Sequence, residues 1–400
     1  MGKEQLANKI ISIDEAKAIV ESVVTALSTE KLPPHLAIGR NLSSEVIATV
    51  FIPPFNRSAM DGFACRLEDL SEPLKVLGTI AAGESSNITL NKGECLRIMT
   101  GAPVPKGADT VIMVEHSESI DENTIRFTKD KTKSNISPKG NDLKPGDVLL
   151  KAGSIIKSPQ IALLASSGIS EVNVYQQAKV GIISSGSELV EPGNALQEGQ
   201  IYNSNGHQLT SRLNELGIVA NNYGVSVDDY DLLKTNISEA ITANDLLLIT
   251  GGVSVGDYDY IPAIVEELGF DIHFSKLHAK PGKHTLFASK ENKVILGLPG
   301  NPVSTLIQFE ECGQWILKAF AGSTHQALRI KSQMACDYSR KKSDRYELLP
   351  VIINEEGQVK TIEYHGSAHM QAITEANALL EIPININSLK KGESVYVRPF

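Results

Sequence analysis

Apolar positions along the chain change their spacing several times, and each change marks a new kind of element. Ile13, Ala16, Ile19, Val20, Val23 and Val24 fall three and four apart, which predicts a helix from Ser12 to about Leu27. Ser12 and Glu15 give it a capping box, and Pro33-Pro34 ends the region. From about residue 49 to 145 the helical spacing is lost. Short β-like runs replace it, at Leu74–Ile80, Cys95–Met99, Thr110–Val114 and Thr124–Phe127, divided by Gly, Pro and Asn turns. That texture predicts a small β-rich domain. Residues 146–178 return to strand, helix and strand, with Ser158 as N-cap before an N1 proline. They complete the first segment, so the β-rich part reads as an insertion.

From Ala178 to about Gly322 strands and helices alternate regularly. The strands are Lys179–Ser184, Ile218–Val225, Asp245–Thr250 and Lys293–Leu298. The helices are Ser204–Leu216, Tyr230–Ala243, Tyr260–Leu268 and Val303–Ala321. Such alternation predicts a doubly wound parallel sheet with helices on both faces. The remaining residues are again β-rich, with runs at Glu347–Ile353, Val359–Tyr364, Leu379–Ile382 and Ser394–Val397 that suggest a small barrel. The expected fold is therefore a multidomain α/β protein. Its parts are a discontinuous N-terminal domain (1–48 and 146–178), an inserted β-rich domain (49–145), the α/β domain (179–322) and a C-terminal β-barrel (323–400).

Composition narrows the function without choosing one. A length of 400 residues asks for several cores, and a net charge of −9 argues against a nucleic-acid partner. The four cysteines form no C-x-x-C pair, which argues against structural zinc and disulfides. Nor does any apolar run approach the ~18 residues of a membrane span. The opening MGKEQLANKI lacks the apolar core of a secretion signal, so the expected location is cytoplasmic.

Ligands of doubly wound sheets bind beyond the carboxyl ends of the strands, and the candidate chemistry gathers there. The loop Thr250–Asp259, TGGVSVGDYD, follows a buried-strand run. Gly251, Gly252 and Gly256 let backbone N–H groups converge on an anion, and Ser254 adds a hydroxyl. Asp257 and Asp259 offer carboxylates for a hard cation such as Mg2+, and Glu188 in SSGSEL and Asp228 add acidic groups at neighbouring strand ends. A glycine-rich turn with capping aspartates is the competing description of that loop. GLPGNPVS (Gly297–Ser304) stands at another strand-to-helix junction, with Asn301 as N-cap and Pro302 at N1. The segment Lys276–His284, KLHAKPGKH, places Lys280 and Lys283 on either side of a Pro-Gly turn, where both can meet one oxyanion. SAMDGFA (Ser58–Ala64) by itself reads as a turn around Asp61-Gly62. His207, on a predicted helix, reads as a surface or core residue.

Taken in order, SAMDGFA, MTGAPVP, GADTVIMVE, SNGHQL, TGGVSVGDYDY, KPGK and GLPGNPVS resemble the molybdopterin molybdenumtransferases, the MoeA proteins related to the gephyrin E domain. The resemblance covers nearly the whole chain. It implies an α/β domain like that of the adenylyltransferase one step earlier, which is also a possible partner. It further implies a homodimer, formed through the discontinuous domain, whose active site is completed across subunits. The implied reaction inserts molybdate into adenylylated molybdopterin with release of AMP, and Mg2+ assists.

The resemblance also implies roles for individual residues. Asp259 is the essential carboxylate, supported by Asp228 and Glu188, while Lys276, Lys280 and Lys283 serve anion binding. Pro299 and Pro302 shape their loop. Arg345 and Ser367 are the barrel's contribution to the oxyanion site, and Asp61, Thr100 and Asp142 come from the facing subunit. Four positions depart from the family pattern. Ser137 stands for an arginine, Asn141 for a glutamate, Ser187 for an aspartate and His284 for a proline. Two other readings share the scaffold: an adenylyltransferase or nucleotide hydrolase, and a divergent paralogue acting as a non-catalytic scaffold.

Overall fold

Residues 10–84, 86–253, 259–323 and 327–400 are described by a computed structural model. The run Leu246–Thr250 shows how its central layer forms. Leu246 and Leu248 enter one core, while Leu247 and Ile249 enter another on the opposite face. A strand alternates its side chains, so an unbroken apolar run demands cover on both sides. Helices Asn205–Glu215 and Ile13–Val23 cover one face, and Tyr230–Ala243 and Ile261–Glu267 cover the other.

The sheet has seven strands, in the order Ile10–Ile11, Asp271–Leu277, His284–Lys290, Lys293–Leu298, Leu246–Thr250, Val180–Ser185, Asn221–Ser226. Its last four strands are parallel, as expected. The whole sheet is not: His284–Lys290 runs antiparallel to Asp271–Leu277 on one side and to Lys293–Leu298 on the other, while Asp271–Leu277 pairs parallel with Ile10–Ile11, so the sheet is mixed. Lys290 pairs with Lys293 across a two-residue turn, leaving no room for the crossover helix that parallel neighbours require. The helix expected at Val303–Ala321 is also interrupted. It runs Pro302–Gln308 and Gln314–Phe320, with a π turn at Phe309–Gly313. A side chain on Gly313 would lie 2.5 Å from the buried Phe309 ring.

The segment expected as 1–48 divides between two cores. Ile11, Ala16, Val20 and Val24 pack into the α/β core, and the capping box at Ser12 forms as expected. Beyond it, Thr29–Leu32 pairs with Val172–Tyr175, and Leu42 shares a core with Leu149, Ile156 and Leu164. Helix Ser158–Ser166 is capped by Lys157, one residue earlier than expected. Val46–Ile47 pairs with Val148–Leu150, so the inserted segment leaves and returns at one place. Between them lies a six-stranded sheet containing Gly62–Cys65, Leu74–Ile80 and Glu94–Ile98.

In the C-terminal part, Tyr346–Ile353, Ala378–Ile382, Ser394–Pro399 and Ile330–Gln333 pair in succession. Met334 then bridges Val359, whose strand returns to Tyr346–Ile353, so the pairing path closes on itself. A two-residue strand of the α/β part, Ala279–Lys280, joins this sheet parallel to Tyr346–Ile353. All four cysteines are free thiols, and among the described residues no helix is long and apolar enough to cross a membrane.

Candidate functional site

The parallel strands lie in the order 221–226, 180–185, 246–250, 293–298. The chain steps outward on one side of Val180–Ser185 and then on the other. The crevice between Val180–Ser185 and Leu246–Thr250 is therefore a switch point, where carboxyl-end loops diverge and ligands bind. Among the described residues, three buried polar atoms there have no hydrogen-bond partner: Ser184 Oγ, Thr250 Oγ1 and Asn205 Oδ1. Ser184 and Thr250 face each other across the strand pair. Buried polar groups are rarely left unpaired, so a cluster of them at a switch point makes this crevice the candidate site for a polar ligand.

Around this crevice the loops interlock. Gly251 has φ +83°, and a Cβ there would lie 2.2 Å from the Ser185 carbonyl, so only glycine fits. Asp228 accepts from Ser185 Oγ at 2.8 Å and from Ser187 N–H at 3.0 Å. The Asp228 N–H in turn donates to Ser187 Oγ at 3.0 Å. Ser187 therefore supports Asp228 where the family pattern has an aspartate. Glu188 is exposed at the same turn, and its carbonyl accepts from Ile201 N–H. Asn205 donates to the Gly300 carbonyl at 2.7 Å, tying SNGHQL to the GLPGNP loop. Ser254, Gly256 and Asp257 lie outside the described residues; Gly252, also at positive φ (+65°), and Asp259 lie on either side of them.

The GLPGNP loop also faces a second feature, a cleft of about 960 Å3 between the α/β and C-terminal parts. Lys280 and Lys283, singled out from the Pro-Gly turn, line it together with Pro299, Arg345 and Ser367, which the resemblance had named. Gln308 donates to the Pro281 carbonyl at 2.8 Å, and Val303 N–H donates to the Ser367 carbonyl at 3.1 Å. The helix that Pro302 begins thus holds the lysine turn on one side and the serine loop on the other. Lys276 does not line the cleft. It pairs with His284 across the two antiparallel strands and with Ile10 on its other side. Asp61, Thr100 and Asp142 are also absent from its walls. Instead Asp61 accepts from Thr100 N–H at 2.6 Å and from its hydroxyl at 2.7 Å, bonds that hold its carboxyl below the usual carboxylate range. Asp142 is exposed and accepts from Asn141 at 3.0 Å, and Ser137 lies opposite Arg57 on paired strands.

Sequence reasoning missed several cleft residues. Arg340, Lys341, Lys342, Asp344 and Glu347 all line it, from the stretch RKKSDRYE. Four of the cleft's basic side chains come from this stretch, counting Arg345, against two carboxylates, Asp344 and Glu347. With Lys280 and Lys283 they leave the cleft strongly positive, which attracts anions. The charge run was visible in the sequence, but nothing in it pointed to a cleft in another domain. Tyr364 also lines the cleft, its hydroxyl pushed up to about 12, mainly by burial, and so remains a donor at neutral pH. His207 does not line it. It is half exposed and bonded to Glu191 at 2.9 Å.

His284 gives a testable pH dependence. Partial burial, then the nearby Lys283 and Lys276, push its pKa down, against a smaller opposing pull from Asp259. A histidine lowered on folding is neutral in the native state while the unfolded chain takes up the proton. Stability is therefore kept above the ordinary value near 6.5 and lost as pH falls below it. Between pH 7.5 and 5.5 the melting temperature of His284→Gln should fall less than that of the parent. Equal slopes would refute the assignment.

Comparison with known proteins places these features in a family. Residues 11–168 match the family described as "MoeA N-terminal region (domain I and II)". Residues 181–319 match "Probable molybdopterin binding domain", and 333–400 match "MoeA C-terminal region (domain IV)". The chain is 34% identical over 400 residues to the molybdopterin molybdenumtransferase of Haemophilus influenzae, covering 98% of this chain and 99% of that one. It is 34% identical over 367 residues to the enzyme of the same name from Staphylococcus aureus strain Mu50, covering 88% and 87%. The crystal structure of the molybdopterin biosynthesis MoeA protein from Pyrococcus horikoshii OT3 superposes with a TM-score of 0.83 at 29% identity, covering 98% of this chain and 100% of that one.

Proposed function

The chain belongs to the molybdopterin molybdenumtransferases, the MoeA family, and is a transferase of molybdenum cofactor biosynthesis; on that premise we propose that it inserts molybdate into adenylylated molybdopterin and releases AMP. The observation that carries this reading is the GLPGNP loop shared by two different receptors. On one side its Gly300 carbonyl is held by Asn205, beside the unpartnered polar atoms of the switch point. On the other, Pro299 and Asn301 line the positively charged cleft. A polar pterin nucleotide and a compact dianion need two such receptors side by side.

The residues then divide the chemistry. Asp228, Glu188 and Asp259 sit at the phosphate end. Lys280, Lys283, Arg345 and Ser367 hold the oxyanion in the cleft, where preorganised donors act without having to reorient. The Gly251–Gly252 backbone approaches the ligand closely because neither residue carries a side chain. Water adds across the phosphoanhydride to give AMP and the pterin phosphate, and the molybdate oxygen displaced by the dithiolene sulfurs leaves as water.

Mg2+ fits this donor set. Among the described residues no three His, Cys, Asp or Glu side chains gather to hold a metal by themselves. Mg2+ commonly takes one or two carboxylates and completes its shell with water and substrate phosphate. Asp259, Glu188 and Asp257 would hold it, and when bound it neutralises pyrophosphate charge.

The same reading makes the molecule a cytoplasmic homodimer, with Asp61, Thr100 and Asp142 of the inserted domain serving the site of a second copy. An adenylyltransferase supplies the substrate. The four-unit division belongs to this reading too, with Ile10–Val24 assigned by packing to the α/β unit. Incubating the full chain with adenylylated molybdopterin, Mg2+ and molybdate should release AMP in proportion to cofactor formed. AMP release that ignores molybdate would point to a nucleotide hydrolase instead.

A further inference from the structure

One buried acid in the cleft wall has no part in the reaction above. Glu347 is 2% exposed and lies on Tyr346–Ile353, in register with Lys280 of the α/β part. Its Oε1 takes the Lys280 ammonium at 2.7 Å. Its Oε2 accepts from Arg340 Nη1 at 3.1 Å and from the Tyr338 hydroxyl at 3.3 Å. We propose that Glu347 is a positioning residue for the oxyanion substrate, fixing the Lys280 ammonium at the cleft wall. The inference rests on the reading that this cleft receives the oxyanion.

The argument turns on how the charge is shared. A buried carboxylate is tolerated only when it is paired. Arg340 supplies that pairing and is itself committed to structure. It donates to the Arg345 carbonyl at 3.0 Å, to Ile386 at 2.7 Å and to Pro383 at 2.6 Å. Arg340 therefore balances Glu347, and the positive charge of Lys280 remains for a ligand. The Lys280 side chain is 44% exposed and lines the cleft. A free lysine gives up rotamer entropy when it grips an anion. Anchoring it beforehand removes most of that cost. Glu347 thus orders Lys280 without cancelling it. The same contact joins two domains, since Arg345 also donates to the Ala279 carbonyl at 3.4 Å.

The test is a double-mutant cycle on the full chain, read by calorimetric titration with molybdate alone and by molybdate-dependent AMP release. Glu347→Gln should weaken molybdate binding about tenfold and raise its KM equally, with kcat within about twofold, the size of one charge-assisted contact. Its melting temperature should fall as well, because Arg340 loses its charge partner. In a Lys280→Met background the same change should leave molybdate affinity unaltered while the melting loss persists. Glu347→Asp keeps the charge beside Arg340 and shortens the reach to Lys280. It should weaken molybdate with little loss of stability, which keeps the test usable if Glu347→Gln does not fold. Equal weakening by Glu347→Gln in both backgrounds, or none in the parent, would overturn the proposal. A parent chain that binds molybdate but releases no AMP would instead sink the reaction assigned above and leave the positioning role standing.

Discussion

Asp259→Ala should lower molybdate-dependent AMP release by at least about two to three orders of magnitude, the usual cost of losing one group that stabilises developing charge. Asp259 follows the glycine loop, just before helix Ile261–Glu267, close enough to His284 to pull its pKa upward. In the proposed reading it stands between the phosphate end of the site and the lysine turn. Because the residue is only half buried, its removal should leave circular dichroism and the melting temperature nearly unchanged. Asp259→Asn keeps the shape but not the charge and should be nearly as inactive. Normal turnover in either variant would mean that another carboxylate carries the step.

The second large effect is expected at Gly251. An alanine there must hold φ near +83° and push its methyl against the Ser185 carbonyl. Left-handed strain and overpacking each cost roughly 1–3 kcal/mol, so Gly251→Ala should lose about 3 kcal/mol of stability. Activity should fall more than tenfold in the surviving folded fraction, since the methyl separates two loops that meet at the switch point. Gly193 supplies the control, with φ +97° and nothing within 4 Å of its added methyl. Gly193→Ala should show only the conformational part of the loss, measured by denaturant unfolding. If the two variants were equally stable, the close approach at Ser185 would carry no weight.

How much of this was legible in advance depended on how local the signal was. The helix at Ser12 announced itself because a capping box and an apolar stripe both act within one turn. Val180–Ser185, Leu246–Thr250 and Lys293–Leu298 were legible because a doubly covered strand is apolar along its length, whereas Asn221–Ser226, at the sheet's edge, carries polar and exposed residues. Asp271–Leu277 escaped notice because its half-buried residues, such as His273, Ser275 and Lys276, dilute its apolar pattern. The π turn escaped because it answers to one ring, Phe309, seated over Gly313.

The candidate site divides along the same line. Lys280 and Lys283 could be singled out from the spacing of a Pro-Gly turn, and Asp259 from a glycine loop after a buried strand. Family resemblance added Arg345 and Ser367. Glu347 could not be found this way, since an acid in a basic stretch usually reads as a solvated charge.

By itself, then, the sequence determined the apolar strands of the central layer and the short motifs that carry charge. These depend on neighbours a few residues away. Tertiary structure alone decided that the first helix packs on the α/β sheet and that RKKSDRYE closes a cleft beside the lysine turn. It also decided that one buried acid is shared by Lys280 and Arg340. Those outcomes depend on which surfaces meet once the chain has turned back on itself. The burial that makes Glu347 require its partners exists only after that meeting.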